Sequence, residues 1–320
     1  MRLLVTGASG FIGRNVLLGA PKEWDVVAVF RDASDFPAFV AREGLRHVRP
    51  IRCDLTSAAD VRALAAEVDA RGPIDAALYL AANGDPAASA RDPIRDLQLN
   101  TLALLTFLDH CSVPHLVYVS SGAVYDGLSG PVTPASAVDP QLPYAISKLA
   151  SEQYIRWYAA RRHSPSSYVI VRFFGAYGPH EPPRKITTRF LTSLTRGDRE
   201  FVLRGDGRNL IDFMHVDDAV AALMQLVAAP RDTRVTVDLA SGHPVPVNDV
   251  VAAMVRLTGA DMAVRRDGIT EEYIEFRSAD TTMAERFGFV PRVSFDEGFT
   301  RLAAFVRSAE ASRSTVIDGA

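Results

Sequence analysis

The sequence predicts an α/β protein built on a doubly wound parallel sheet of the Rossmann type, with a smaller and mostly C-terminal substrate-binding α/β domain. Three observations carry that expectation. Apolar, strand-like runs alternate with helical patterns without a break to about residue 174, the order expected of βαβ units. A glycine-rich turn follows the first run directly. Residues suited to ligand contact, Gly7, Arg31, Asp54, Ala81 and Ser121, fall at the ends of five different runs, and sheets of this kind bind ligands beyond those ends.

Composition narrows the class. With 320 residues, 48% of them hydrophobic, and a net charge of -3, the chain can bury one large core or two unequal ones. Its arginines are scattered among carboxylates, so neither nucleic acid nor a membrane surface is expected as a partner. No basic region leads into a long apolar segment, which makes the cytoplasm the expected compartment. Cys53 and Cys111 lie in apolar contexts without metal-ligand spacing, so they are expected reduced and buried, and no metal is expected.

The first run, Arg2 to Thr6, leads into Gly7, Ala8, Ser9, Gly10, Phe11, Ile12 and Gly13, and then into a helical pattern. Three glycines between a strand and a helix let backbone approach a diphosphate at the helix N-terminus. The spacing is G-x-x-G-x-x-G. Residues 26–30 read as the second strand, ending where a dinucleotide-binding unit meets the adenosine ribose. Phe30 and Arg31 stand there in place of a carboxylate, so NADP(H) is favoured, with NAD(H) the alternative. Residues 47–53 form a third strand, followed by Asp54 and Leu55 beside the adenine and by a helix over 58–68. Residues 74–82 read as a nearly continuous apolar strand, whose Ala81 and Ala82 leave room for a nicotinamide half. A helix over 93–111 carries Asn100. Residues 116–119 form a strand that ends in Ser120 and Ser121, and 168–174 supply the sixth.

LPYAISK at 142–148 places Tyr144 and Lys148 four residues apart at a helix start, on one face. Of 35 basic residues only Lys22, Lys148 and Lys185 are lysines, so this spacing arises by chance roughly 0.08 times. A nearby ammonium and the helix dipole both favour tyrosinate, so the phenol is expected to titrate closer to neutrality. Strand alternation turns Ser120 away from the face that Ser121 shares with them.

Past residue 174 the texture changes, and Arg184, Lys185 and Arg277 are candidate substrate-binding cations. Residues 235–240 are expected to return to the large sheet. The expected division is therefore 1–174 plus about 212–242 for the dinucleotide-binding domain, about 175–211 and 243–308 for the substrate domain, and 309–320 as a flexible tail.

TGASGFIG at 6–13, SSGAVY at 120–125, YAISK at 144–148, RFFGAYGP at 172–179 and IDFMHVDDA at 211–219 together resemble the extended short-chain dehydrogenases/reductases of the NAD(P)-dependent sugar-nucleotide epimerase/dehydratase family. The resemblance implies Tyr144 as acid/base, Lys148 on the nicotinamide ribose, Ser121 on the reacting oxygen, and Asn100 supporting the lysine through water. It also implies a nucleotide-sugar substrate and a homodimer paired through the helices near 93–111 and 144–160. Departures narrow the reaction. The Asp-Glu pair of family dehydratases is Gly122-Ala123 here, which disfavours a 4,6-dehydratase. An asparagine and a basic residue usual near the substrate diphosphate are Gly175 and Ile211, while Arg277 resembles a late diphosphate-binding arginine that Arg184 or Lys185 can supplement. The leading expectation is a 4-epimerase or 4-ketoreductase. The alternatives are a reductase of a non-nucleotide carbonyl compound and a non-catalytic dinucleotide sensor.

Overall fold

The computed structural model describes residues 1–162, 164–268 and 274–317, with 310–317 described by backbone alone. Strand and helix alternate from the N-terminus: β1 Arg2–Thr6, α1 Phe11–Gly19, β2 Asp25–Phe30, α2 Phe36–Arg42, β3 Val48–Arg52, α3 Ala58–Asp69 and β4 Ala76–Tyr79. Next come α4 Pro86–Arg91, α5 Pro93–Leu97, a π-helical turn Gln98–Leu102, α6 Ala103–His110 and β5 His115–Ser121. A short 3-10 turn, Gly122–Tyr125, precedes β6 Ser129–Val132, α7 Pro143–Arg161 and β7 Ser167–Phe173.

Seven parallel strands make one sheet, in the order β12 (Arg234–Leu239), β7, β5, β4, β1, β2, β3. Chain order reverses at β1, so a crevice opens beyond the strand ends on either side of it. Both faces are covered. Leu3 and Val5 of β1 enter one core, under α1 and α9 (Val216–Val227), while Leu4 enters the other, under α3, α6 and α7. That is why these strands are apolar at every position instead of at alternate ones. β12 lies in register on β7, from Arg234 beside Tyr168 to Leu239 beside Phe173, as its sequence predicts.

The remaining elements are short pairs and helices: β8 Ala176–Tyr177, α8 Ile186–Thr195, β9 Glu200–Leu203, β10 Leu210–Ile211, β11 Met214–His215, β13 Val245–Pro246, α10 Val247–Thr258, β14 Ala263–Arg266, β15 Glu275–Ser278, α11 Thr282–Phe287 and α12 Phe295–Ile317. A third core lies among α8, α10 and α12 and includes Phe190, Met254 and Phe299. β15 crosses back to pair with β6, which brings the late chain over the end of the large sheet.

The structure refines three expectations. The apolar run 74–82 is a strand only over Ala76–Tyr79, because its neighbour β1 stops at Thr6 and the Thr6 hydroxyl takes the amides of Leu80 and Ala81. The helix expected over 93–111 runs from Pro93 to His110 and contains a π turn, Gln98–Leu102, around Asn100, a feature that hydrophobic periodicity does not signal. Helical backbone continues through Ile317, where a frayed tail is expected; residues 318–320 of that tail lie outside the described residues. Helices α2 and α4, of 7 and 6 residues, are too short to show a helical period and go unpredicted.

Candidate active site

Gly7 has φ +66°, and a β-carbon there would lie 2.8 Å from the Ala81 amide nitrogen. One on Gly13 would lie 2.5 Å from the Gly7 carbonyl oxygen. The turn therefore folds on itself and against the exit of β4 only with glycine at both positions. Gly10 is the N-cap of α1, whose first turn has neither a side-chain cap nor a carboxylate. Its leading amides keep their partial positive charge for an anion.

Two adjoining cavities open here. The first, about 500 Å³, is bordered by Gly7, Ser9, Gly10, Arg31, Asp54, Leu55, Ala81 and Ala82. The second, about 590 Å³, is bordered by Phe11, Ile12, Gly13, Ser121, Tyr144, Lys148 and Lys185, and it shares Gly7, Gly10, Ala82 and Arg184 with the first. At the outer end of the first cavity, Arg31 Nε meets the Asp32 carboxylate at 2.5 Å, both side chains being exposed. Burial pushes the Asp54 carboxyl up, but hydrogen bonds from Thr56 and the charges of Arg31 and Arg95 outweigh it, leaving Asp54 below the usual carboxylate range.

The second cavity gathers the reactive groups. Alternation along β5 buries Ser120, whose hydroxyl donates to Glu152 Oε1 at 2.7 Å, and turns Ser121 to the cavity. Pro143 opens α7 with the fixed φ that a first helical position wants, and Tyr144 follows it. Lys148 is 3% exposed; its Nζ donates to the Val119 carbonyl at 2.8 Å and lies 5.0 Å from the Tyr118 ring centre. Burial pushes the ammonium down to about 8 against the opposing charges of Asp96 and Glu152.

The expected lowering of the Tyr144 phenol is reversed. Burial raises it, the Asp96 charge adds to the rise, and the Ser121 hydroxyl bond and the Arg184 charge oppose it. Desolvation of a phenolate outweighs the helix dipole here, and the ammonium is held by Val119. In this state the phenol keeps its proton.

Asn100 stands behind the cavity and lines neither part. It is fully buried, its Oδ1 accepts from the Asn83 amide at 2.7 Å, and its Nδ2 donates to Asp96 Oδ1 and Ser147 Oγ at 3.0 and 2.9 Å. Ser147 also donates to Asp96 Oδ2 at 2.7 Å, and Asn83 Nδ2 donates to Asp96 Oδ1 at 2.9 Å. Three side chains thus hold one buried carboxylate between the π turn and the first turn of α7. Sequence reasoning misses Asp96 and Asn83, since neither belongs to a recognisable spacing; Ser147 lies inside YAISK and is legible only as part of that string.

The candidate cations divide. Arg184 donates to the Gly84 carbonyl at 2.7 Å and borders both cavities. Lys185 donates to the Ala176 carbonyl at 2.6 Å and sits 5.5 Å from the Phe11 ring centre, with burial lowering its pKa against the Glu181 charge. Arg277 is exposed on β15, while its neighbours Ile274 and Phe276 border the second cavity. Strand alternation points Phe276 inward, so it turns Arg277 outward, and the structure does not bring this arginine to the site. The far wall is completed by Phe174, Ile211 and Pro244, none foreseen as contacts. Below it a buried chain runs from Glu152 to Arg172 (2.9 Å), whose guanidinium lies 4.9 Å from the Tyr125 ring centre. Tyr125 donates to Asp238 Oδ1 at 2.7 Å, and Ser278 of β15 to its Oδ2 at 2.8 Å.

Cys53 and Cys111 are buried free thiols, each pushed up to about 12, chiefly by burial. Among the described residues no cluster of three or more His, Cys, Asp or Glu is placed to hold a metal, and no helix is long and apolar enough to cross a membrane.

Comparison with known proteins agrees with this arrangement. The model of the NAD dependent epimerase/dehydratase family matches residues 3–239. A dTDP-glucose 4,6-dehydratase of Streptomyces griseus is 30% identical, over 95% of this chain and 93% of its own length. A protein named as an uncharacterized UDP-glucose epimerase, YtcB of Bacillus subtilis (strain 168), is 25% identical over 96% of this chain and 98% of its own. Among solved structures, MoeE5 in complex with UDP-glucose and NAD superposes with a TM-score of 0.84 at 29% identity, covering 97% of this chain and 99% of that one.

Proposed function

Because the chain belongs to the NAD-dependent epimerase/dehydratase family, we propose that it oxidises or reduces a ring carbon, the 4-position, of a nucleotide-linked sugar, as a 4-epimerase or 4-ketoreductase. The observation that carries this reading is the meeting of Ser121, Tyr144 and Lys148 on one wall of a cavity continuous with the glycine turn. The residues fit a dinucleotide: the uncapped N-terminus of α1 takes the diphosphate, Asp54 and Leu55 border the adenine, and Ala81 and Ala82 leave room for the nicotinamide half. A bound nicotinamide dinucleotide supplies the acceptor or donor of hydride.

The chain's own groups handle the proton. Tyr144, whose partial burial favours the protonated phenol, donates to a ketone oxygen during reduction and takes a hydroxyl proton during oxidation. Ser121, on the same wall of the cavity, holds the same oxygen. Lys148 brings a buried cation beside them and eases formation of the phenolate. Elimination of water needs further acid and base groups, and Gly122 and Ala123, next to Ser121, can supply neither. A 4,6-dehydratase reaction is therefore disfavoured despite the Streptomyces relative's name.

Arg31 at the end of β2 favours NADP(H) over NAD(H), the cytoplasm is the proposed compartment, and a homodimer the proposed assembly. The residue ranges 1–174 with 212–242, and 175–211 with 243–308, are the proposed cofactor and substrate domains. Nucleotide sugars and their 4-keto derivatives, offered with each cofactor and read by the absorbance of reduced nicotinamide or by separation of epimers, test the reading. Turnover of none of them overturns it.

A further inference from the structure

The wall beside Ser121 has a chemistry of its own. A β-carbon built on Gly122 lies 3.1 Å from two Phe174 ring carbons, so the ring rests on the glycine and would have to shift by a few tenths of an ångström to admit a side chain at 122. Phe174 packs in turn on Tyr125 and Phe276, each with ring centres 6.0 Å away, and Tyr125 turns its hydroxyl outward to Asp238. The side chain of Ala123 completes the patch. A substrate substituent within two bonds of the carbon held at Ser121 is therefore expected to meet Gly122, Ala123 and aromatic carbon.

The charged groups of this cavity are directed elsewhere. Lys148 donates to Val119, Lys185 to Ala176 and Arg184 to Gly84, all toward the glycine turn and the exits of β4 and β5. The Asp212 carboxylate accepts the Ser241 and Gly242 amides. The Arg172 guanidinium lies over the Tyr125 ring behind the patch and is already paired with Glu152. A carboxylate there would lose water without gaining a partner, and a hydroxyl would lose a hydrogen bond, whereas a methyl or methylene group gains burial.

Resting on the nucleotide-sugar reading above, we infer that the natural substrate is a deoxy nucleotide sugar. It carries a deoxy carbon, as the 6-methyl group two bonds from the carbon that changes oxidation state, packed on Phe174, Gly122 and Ala123. Such a substrate is a product of a deoxygenating reaction, and nucleotide uronates are rejected. The Gly122–Phe174 pair is the specificity device, because the ring occupies the space that a polar side chain at 122 would need.

The test measures kcat/KM for a 6-deoxyhexose, a hexose and a hexuronate on one nucleotide, in the 4-hydroxy or 4-keto form. A single group in an apolar pocket separates substrates by about 10- to 200-fold, so a preference of at least about tenfold for the deoxy sugar over the uronate is expected. Phe174→Asn should narrow that ratio by about tenfold while its dinucleotide dissociation constant, measured by calorimetry, stays at the wild-type value. Equal or better use of the uronate by the wild type overturns the inference and leaves the nucleotide-sugar reading intact. An unchanged ratio in Phe174→Asn overturns the role of the ring. Failure to turn over all three sugars overturns both.

Discussion

Tyr144 is a half-buried phenol on the cavity wall, and the loss of water around it raises its pKa against the opposing Ser121 hydroxyl. Removing only its oxygen, in Tyr144→Phe, should leave folding and dinucleotide binding intact and lower turnover by about two to four orders of magnitude, the scale of a lost acid/base. Activity within a few-fold of wild type in a steady-state assay would take Tyr144 out of the mechanism. Lys148 has a different kind of constraint, since its ammonium fits between the Val119 carbonyl and the Tyr118 ring. A guanidinium is larger and planar, so Lys148→Arg should lose turnover heavily too. Arg31 lies at the opposite end of the crevice. Its Nε donates to Asp32 at 2.5 Å, and a guanidinium has further N–H donors to offer a 2'-phosphate. A charged hydrogen bond of about 1.5 to 3 kcal/mol corresponds to roughly ten- to a hundredfold in affinity. Arg31→Ala should therefore weaken NADP by that factor and leave NAD nearly unchanged in a calorimetric titration. Equal losses for both would show that Arg31 does not read the phosphate.

At the scale of elements, β12 and β15 are joined through one carboxyl group. Asp238 of β12 accepts from Tyr125 and from Ser278 of β15, while its own amide donates to Asp280. Burial and the Asp280 charge push its pKa up to about 7, with the Tyr125 and Ser278 bonds and the Arg172 charge opposing. Between the ordinary carboxylate range near 4 and this value, the folded protein holds a proton that the unfolded chain has released. This group's contribution to stability therefore falls as pH rises through that window, by about 1.4 kcal/mol per unit of pKa separation, and levels off above pH about 7. Asp238→Asn cannot titrate. Its stability relative to wild type should rise from pH 5 to 7 and then stay constant in denaturant unfolding. A difference independent of pH would place the Asp238 pKa in the ordinary range. The π turn is a second joint between elements, since it sets Asn100 and Thr101 against Ser147 of α7, with Thr101 Oγ1 donating to the Ser147 carbonyl at 2.8 Å.

For the whole molecule, α5 and α7 pack together, and each exposes large apolar side chains. Ile94 (72% exposed) and Leu97 lie on α5, with Ile146, Tyr154 and Trp157 on α7. Positions 146, 154 and 157 fall on one side of the helix at 3.6 residues per turn. A contiguous exposed apolar patch on a folded chain marks an interaction surface, and a second copy meeting it about a two-fold axis would cover both halves alike. A homodimer at micromolar concentration is expected in light scattering, and Trp157→Glu should shift it toward monomer. A monomeric wild type at that concentration would refute the assembly.

Local periodicity made part of this protein legible from sequence alone. The alternation of apolar runs with helical patterns determined the parallel sheet, the two-residue period of β5 separated Ser121 from Ser120, and the four-residue spacing on α7 put Tyr144 and Lys148 on one face. Each depends on the geometry of a single element. What only the tertiary structure decided depends on packing between elements distant in sequence. Arg277 carries a cation, yet the pairing of β15 with β6 turns it outward and Phe276 inward. The protonation of Tyr144 follows from how completely its neighbours exclude water, which no spacing encodes. Asp96, Asn83 and Asn100 converge on the first turn of α7 across a π turn that periodicity does not signal, and the apolar wall beside Ser121 exists because Phe174 lies on Gly122 and packs against Phe276, 102 residues on. Desolvation and long-range contact are properties of the assembled core, so they became visible only once the chain had folded.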